Sequence, residues 1–160
     1  AGELNKEYTY PQGKYKVVTG ITNETEAPAI FKHKGTYYLL GSGSSGWKPN
    51  AARIFTSKSI TGDYTEKSNP CHGVNPYNGL GPEKTFGGQS SFIISVQGKK
   101  DSYIAMFDIW KPEMPIEGLY IWLPIKIQTN SINIKWRDEW NLNIFSDEKK
   151  ITPPLPTSIY

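Results

Sequence analysis

Residues 24 to 43 read ETEAPAIFKHKGTYYLLGSG, and this stretch has the pattern of a β-hairpin. Its two arms, AIF at 29–31 and TYYLL at 36–40, are made of β-branched, aromatic and apolar residues, which favour strands. The turn between them is polar and contains Gly35, which supplies the positive φ that short hairpin turns need. We therefore expect the hairpin to hold Glu26, which lies just before the first arm, at the start of a strand.

A carboxyl group held at a strand mouth is a candidate general acid. The alternative is a solvated surface glutamate that happens to precede a strand, and the local pattern alone favours this second interpretation. The second arm of the hairpin continues into a Gly/Ser-rich loop that carries Trp47, Pro49 and Asn50. If Glu26 has a chemical role, this loop is where we expect its substrate to be held.

Further strand pairs follow along the chain. Residues 89–96 with 102–107, and 118–127 with 131–136, read as two more hairpins, and residues 52–57 alternate as a single strand. Pro124 inside a predicted strand indicates an edge position or a bulge. No segment has a helical period. The pattern predicts an all-β chain built of propeller blades, with a β-sandwich as the second choice.

The composition excludes several functional classes. The net charge of +3 is dispersed along 160 residues, which argues against a nucleic-acid partner. Cys71 is the single cysteine, so neither an internal disulfide nor a cysteine-based metal site is expected, and no metal is predicted. No apolar run is long enough to insert into a membrane. The aromatic fraction of 13% indicates that some rings line a binding surface.

Several segments in collinear order resemble glycoside hydrolase family 43, and its exo-β-1,3-galactanase-like branch in particular. They are EAPAIFK at 26–32, SSGWKPN at 44–50, GQSSF at 88–92, MFDIW at 106–110, YIWLPI at 120–125 and WRDEW at 136–140. Each segment is a weak signal by itself. Their ordered succession over residues 15–140 is fairly specific.

The resemblance implies a fold and a set of site residues. It implies a five-bladed propeller of antiparallel four-stranded blades that hydrolyses glycosidic bonds with inversion of configuration. Glu26 matches the family's general acid, and Gln89 matches an amide that stands where relatives carry a base carboxylate and positions the attacking water. Sugar contacts are expected from the following residues: Ser45, Trp47, Asn50 and Trp110, with Trp122 as a weaker candidate. For Trp110 and Trp122 the alternative is a core ring, and for Asp108 it is a carboxylate capping a turn.

The chain is shorter than a complete family 43 propeller, so residues 1–160 are interpreted as one partial propeller, the C-terminal half of a catalytic domain. The expected substrate is β-1,3-galactan or a related plant-type oligo- or polysaccharide. The expected protein partner is the missing N-terminal half or a second copy of the chain. A secreted, periplasmic or cell-surface location is expected. No cofactor is expected, although Ca²⁺ in the channel stays open. The alternative functions are a non-catalytic carbohydrate-binding half-propeller and an interaction half-domain.

Overall fold

A computed structural model describes residues 1–22 and 24–146, and this part of the chain is all-β, as predicted. Its strands are β1 (Gly2–Leu4), β2 (Pro11–Tyr15), β3 (Thr25–His33), β4 (Thr36–Gly43), β5 (Ala52–Ser57), β6 (Thr65–Lys67), β7 (Cys71–His72), β8 (Gln89–Ser95), β9 (Tyr103–Ile109), β10 (Leu119–Ile127) and β11 (Ile132–Lys135). Short 3₁₀ segments cover Pro82–Gly87, Pro115–Glu117 and Leu142–Phe145. In this part of the chain no helix has the length and apolar character needed to cross a membrane.

The first large sheet is an antiparallel meander in the order β3-β4-β5-β6. The predicted hairpin forms it, with Ala29 paired to Leu40 and His33 paired to Thr36. Both turn residues have positive φ, 43° at Lys34 and 77° at Gly35, which is the geometry that matches the twist of two paired strands. This sheet has the form expected of a four-stranded blade.

The second large sheet has the order β7-β11-β10-β9-β8. Both remaining predicted hairpins form within it, β8 with β9 and β10 with β11. The expectation of four strands is wrong for this sheet, because the two-residue strand β7 adds a fifth and runs parallel to β11. Pro124 is paired with Ile104 inside β10, which is not an edge strand. Pairing with β11 begins only at Ile125, so the missing N–H of Pro124 lies just outside that ladder.

The core lies between the two large sheets. Side chains from the facing sides of both sheets form one buried cluster, whose fully buried members include Leu40, Ile54, Phe107 and Ile134. Full burial of a side chain of this size contributes about 1.5–3 kcal/mol. The edge strands β3 and β8 of the two sheets also meet directly. Ser90 Oγ donates a hydrogen bond of 2.7 Å to the carbonyl oxygen of Ala27. The active-site candidates lie at this junction.

The outward faces of the two large sheets differ. On the first sheet, Leu39 and Phe55 are buried beneath Val18 and Ile21 from the segment that precedes the sheet. That segment follows β2, which ends at Tyr15. On the second sheet, Phe92, Met106 and Trp122 are cross-strand neighbours in one row, and Phe92 and Trp122 remain 61% and 48% exposed.

Candidate active site

A β-bulge follows Glu26 within β3. Glu26 is paired with Ser42, and the register of β3 against β4 shifts between Glu26 and Ala29. Ala27, within the bulge, has a φ of 52°, a left-handed conformation that costs a non-glycine residue about 1–2 kcal/mol. Bulges of this kind are common next to active sites, where they re-aim a side chain. Glu26 is only partly exposed, and the choice between a general acid and a surface glutamate stays a prediction.

Gln89 is the first residue of β8, as predicted, and the segment before it is tightly held. Phe86 is fully buried, and its carbonyl oxygen accepts hydrogen bonds from the side-chain amides of Asn75 and Asn78. Gly88 packs closely against β9, since a Cβ at this position would lie 2.9 Å from the Cβ of Phe107. These contacts fix the point at which Gln89 enters the sheet junction.

The structure brings Glu26 and Gln89 together although they are 63 residues apart. The Nε2 atom of Gln89 donates one hydrogen bond of 2.9 Å to Glu26 Oε1 and another of 2.8 Å to Ser42 Oγ. Ser42 is 3% exposed, and its own hydroxyl donates to the carbonyl oxygen of Gly43 at 3.2 Å. Glu26, Ser42 and Gln89 thus form one hydrogen-bonded group, which we call the acid–amide centre.

Ser42 is the member of this centre that sequence reasoning missed. It lies in a GSG segment, which looks like the start of a flexible loop. The structure instead keeps it in β4, opposite Glu26. The signal that could have found it is the register of the hairpin, because counting outward from the His33–Thr36 turn and allowing for the bulge at Ala27 and Pro28 places Ser42 beside Glu26.

Ser45 and Asn50 close the loop between β4 and β5. The Asn50 side chain accepts a hydrogen bond from Gly43 N at 2.8 Å and donates to Gly43 O at 2.7 Å and to Ser45 Oγ at 2.6 Å. Ser45 Oγ in turn donates to the carbonyl oxygen of Lys48 at 2.6 Å. Both side chains are therefore engaged within the loop, and their expected contact with sugar stays a prediction.

Trp47 and Trp110 line one small cleft together with Ser42 and Gln89. Their ring centroids are 4.9 Å apart and the rings are tilted by 52°. In the described part of the chain Trp47 is 64% exposed and Trp110 is 50% exposed, and the choice for Trp110 between a sugar contact and a core ring between blades stays a prediction. Trp122 is also outside the core, but it lines a different groove of about 760 Å³ together with Tyr77 and Trp140.

Beneath the two tryptophans is a small cleft of about 40 Å³. Ser42, Gln89 and Asp108 contribute to its lining, together with Trp47, Asn50 and Trp110. A volume of this size holds one or two water molecules at most. Asp108 is paired with Gln89 within the sheet, so the interpretation of this residue as a turn cap is wrong. The cleft therefore contains a carboxylate that the sequence pattern did not assign to it.

The described residues do not build a metal site by themselves. Within residues 1–22 and 24–146, no three histidine, cysteine, aspartate or glutamate side chains are grouped closely enough to hold a metal ion. Cys71 is buried, and burial raises the pKa of its thiol from 9.0 to about 12, which disfavours the thiolate that binds metals. For the channel Ca²⁺ that the sequence left open, this part of the chain has no group of three such side chains, and no chemical step is derived through it.

Solved structures of glycoside hydrolases share this arrangement of strands. A family 43 β-1,3-galactosidase superposes with a TM-score of 0.79 and 32% sequence identity over 90% of this chain. The predicted resemblance to glycoside hydrolase family 43 is confirmed. A second family 43 β-1,3-galactosidase, solved with galactodeoxynojirimycin, gives a TM-score of 0.66 and 42% identity over 73% of the chain. An exo-β-1,3-galactanase of Phanerochaete chrysosporium, solved with β-1,3-galactotriose, gives 0.67 and 26% over 83%.

The chain spans less than a third of these family 43 structures. It covers 29% of the first, 32% of the second and 28% of the fungal galactanase. This partial coverage fits the expected C-terminal part of a larger catalytic domain. The names of all three describe sugar-cleaving enzymes, which supports glycoside hydrolysis and does not favour the non-catalytic alternative. No protein-family model and no curated protein matches the sequence.

Proposed function

We propose that this chain supplies the acid–amide centre of an inverting glycoside hydrolase that cleaves β-1,3-galactan or a related plant-type polysaccharide. The observation that carries the proposal is the 2.9 Å hydrogen bond between Glu26 and Gln89. It joins the two large sheets through their edge strands β3 and β8. The reaction class is supported by the similar solved structures, which are those of a β-1,3-galactosidase and an exo-β-1,3-galactanase. Their enzymatic names argue against a carbohydrate-binding role without catalysis.

Glu26 is proposed to donate a proton to the glycosidic oxygen of the leaving group. Because Gln89 Nε2–H donates to Glu26 Oε1, that oxygen is occupied as an acceptor. In the protonated acid the hydrogen is therefore favoured on Oε2, where it is not used by this bond. Before a sugar enters, the hydrogen bond thus leaves Oε2 as the oxygen that carries the proton.

Gln89 is proposed to position the attacking water. Inversion requires the acid and the water-activating group to act from opposite sides of the sugar, with roughly 6.5–9.5 Å between them. The direct contact between Glu26 and Gln89 is much shorter, so the pair must separate when a sugar enters. Hydrogen bonds at active sites often rearrange in this way when substrate binds.

The two tryptophans are proposed to hold the sugar. Apolar ring faces stack on the C–H faces of sugars, and Trp47 and Trp110 line the same cleft as Ser42 and Gln89. The cleft beneath them is too small for a pyranose ring. Trp47 is the more exposed of the pair and follows Gly46, whose φ is 62°, so movement of this loop is the simplest way to admit substrate.

The protein partner is proposed to be the missing N-terminal half of the catalytic domain. The row formed by Phe92, Met106 and Trp122 on the outward face of the second sheet is apolar, partly exposed and uncovered by the described residues. The equivalent face of the first sheet is covered by the chain itself. The two sheets would then be neighbouring blades of a five-bladed propeller.

Secretion, or a periplasmic or cell-surface location, is proposed because polysaccharide substrates lie outside the cell.

The partner proposal is tested by size measurement with a surface variant. We expect the chain to co-elute with a separately produced N-terminal half, and Phe92→Ser to weaken this association because Phe92 is 61% exposed and its replacement leaves the core intact. Met114→Ser, at an exposed position outside the row, is the matched control. A chain that stays a monodisperse monomer with the N-terminal half present, or that forms only homodimers, would contradict the proposal.

The catalytic proposal is tested with Glu26→Gln in the assembled enzyme. Loss of a general acid is expected to lower kcat by about 10²–10⁴-fold, measured as galactose released from β-1,3-galactooligosaccharides. Glu24→Gln is the matched control, because Glu24 lies two residues away and is exposed. Undiminished turnover in Glu26→Gln, or an equal loss in Glu24→Gln, would reject Glu26 as the acid.

A further inference from the structure

The side-chain amide of Gln89 can lie in two orientations that exchange Oε1 and Nε2. In the structure Nε2 faces both Glu26 and Ser42. Among the described residues Oε1 has no hydrogen-bond partner, although Gln89 lines the cleft beneath the tryptophans. The amide oxygen is therefore the atom left to accept a hydrogen bond from water in that cleft.

Ser42 and Glu26 differ in how firmly they select this orientation. The hydroxyl hydrogen of Ser42 is used in the bond to the carbonyl oxygen of Gly43, so Ser42 offers Gln89 only an acceptor. An ionised Glu26 also offers only acceptors. A protonated Glu26, in contrast, is a donor, and it can bond to the amide oxygen of a rotated Gln89.

We propose that Ser42 is a positioning residue that prevents Gln89 from rotating when Glu26 carries its proton. This inference rests on the proposed role of Glu26 as the acid. With the amide rotated, the O–H of Glu26 bonds to Gln89 Oε1, and the proton needed by the leaving group is held by the neighbouring amide. The rotated amide also turns its N–H groups toward the water, which leaves that water without an acceptor.

Ser42 opposes this rotation through the fixed direction of its hydroxyl. A rotated amide would place Oε1 against the lone pairs of Ser42 Oγ, and relief would require Ser42 to give up its bond to Gly43. Because Ser42 is 3% exposed, bulk water does not readily replace the lost bond. One hydrogen bond of this kind changes an equilibrium by about 2- to 12-fold.

Other charged groups near Glu26 are few in the described chain. Asp108 and Lys48 line the same cleft, and Arg53 Nη1 donates to Thr25 Oγ1 beside Glu26 at 3.0 Å. In the part of the chain that the structure describes, none of their side chains hydrogen-bonds the side-chain amide of Gln89. They therefore do not choose the orientation of the amide.

The test is NMR of the side-chain amide of Gln89 in the free chain, assigned by its absence in Gln89→Glu. In the wild type we expect its two protons to stay protected from solvent exchange both at pH 7 and at a pH of about 3, where carboxyl groups are protonated. In Ser42→Ala the proton that bonded Ser42 has no acceptor at either pH, and we expect the proton that bonds Glu26 to stay protected at pH 7 and to lose protection about 2- to 12-fold at the acidic pH. Ser42→Thr, which keeps the hydroxyl, should behave as the wild type.

Ser90→Ala is the matched control, because it removes another buried hydroxyl from the same sheet junction without touching Gln89. It should retain protection at both pH values. Protection in Ser42→Ala that is independent of pH, or equal loss in Ser90→Ala, would overturn the proposal. If Ser42→Ala does not fold, the wild type alone tests the proposal. A Gln89 side-chain amide that exchanges with solvent at acidic pH as fast as that of exposed Gln128 would refute the positioning role of Ser42. These spectra require no substrate, so failure of the hydrolysis assay and failure of this inference are separate results.

Discussion

Asn50 provides a sharp test of how the tryptophan loop is held. In Asn50→Ala three side-chain hydrogen bonds are lost, two to the backbone of Gly43 and one to Ser45. Gly43 is buried, so its N–H and C=O are left without these partners, and each such loss costs about 1–1.5 kcal/mol. The bond to Ser45 is exposed and contributes little. We therefore expect the free energy of unfolding to fall by about 2–3 kcal/mol.

The assay is urea unfolding followed by circular dichroism, with the slope of the transition compared between variants. A change in midpoint without a change in slope indicates a change in stability alone. Ser45→Ala is the control, since it removes the hydroxyl that bonds Asn50 and Lys48 but leaves both bonds to Gly43. Its expected cost is below about 1 kcal/mol. The double variant should be less destabilised than the sum of the singles, because the two residues share a bond.

One result would refute this account of Asn50. If Asn50→Ala changes the free energy of unfolding by less than about 0.5 kcal/mol, the value typical of an unconstrained surface site, then Asn50 does not hold the loop. If the same variant also loses affinity for galactooligosaccharides, the residue acts on the sugar directly, as the sequence resemblance implied.

Four further predictions concern three residues: Cys71, Ala27 and Trp47. Cys71 should resist thiol reagents at pH 8 in the folded chain, because the rise of its pKa from 9.0 to about 12 lowers its thiolate fraction about 1,000-fold, and rapid labelling without denaturant would contradict this. As pH rises, the thiol of the unfolded chain ionises before the thiol of the folded chain. The contribution of Cys71 to the free energy of unfolding is therefore fully present below pH 9 and lost between pH 9 and about 12. The urea midpoints of wild type and Cys71→Ala should converge over that pH range. Ala27→Gly should raise the free energy of unfolding by about 0.5–1 kcal/mol, since relief of a left-handed alanine exceeds the entropic cost of glycine; a lower urea midpoint would show that the bulge is unstrained. Trp47→Ala should weaken binding of β-1,3-galactobiose to the assembled domain about 10-fold in calorimetry with little effect on stability, because Trp47 is 64% exposed, and unchanged affinity would remove it from the sugar site.

The hairpins were predictable because their information is local. Alternating apolar residues, short polar turns and a glycine such as Gly35 determine both where a strand ends and which face is buried. Strand β7 was missed because Cys71 and His72 are too short to show alternation and lie in a stretch rich in proline and glycine. Its partner β11 is more than sixty residues away, and parallel pairing over such a distance leaves no local pattern.

The candidate site was predictable only through resemblance. No pattern in the chain relates Glu26 to Gln89, and the resemblance named both without stating that they would be bonded to one another. The side chain of Asn50 shows the opposite limit, because a loop asparagine has the same residue type whether it bonds to a ligand or to its own backbone. Only the position of Gly43 relative to Asn50 distinguishes the two cases.

The spacing of the acid–amide centre depends on backbone features that face each other across the sheet junction. Strand β3 shifts register after Glu26, and strand β8 shifts register after Ser90. The bond from Ser90 Oγ to the carbonyl oxygen of Ala27 joins the two irregular segments directly. Because Glu26 and Gln89 are each adjacent in sequence to one end of that bond, a change in the separation of the two bulges changes the distance between acid and amide. Strand-to-strand contact at the bulges, rather than the general packing of the core, is therefore what sets the geometry of the site.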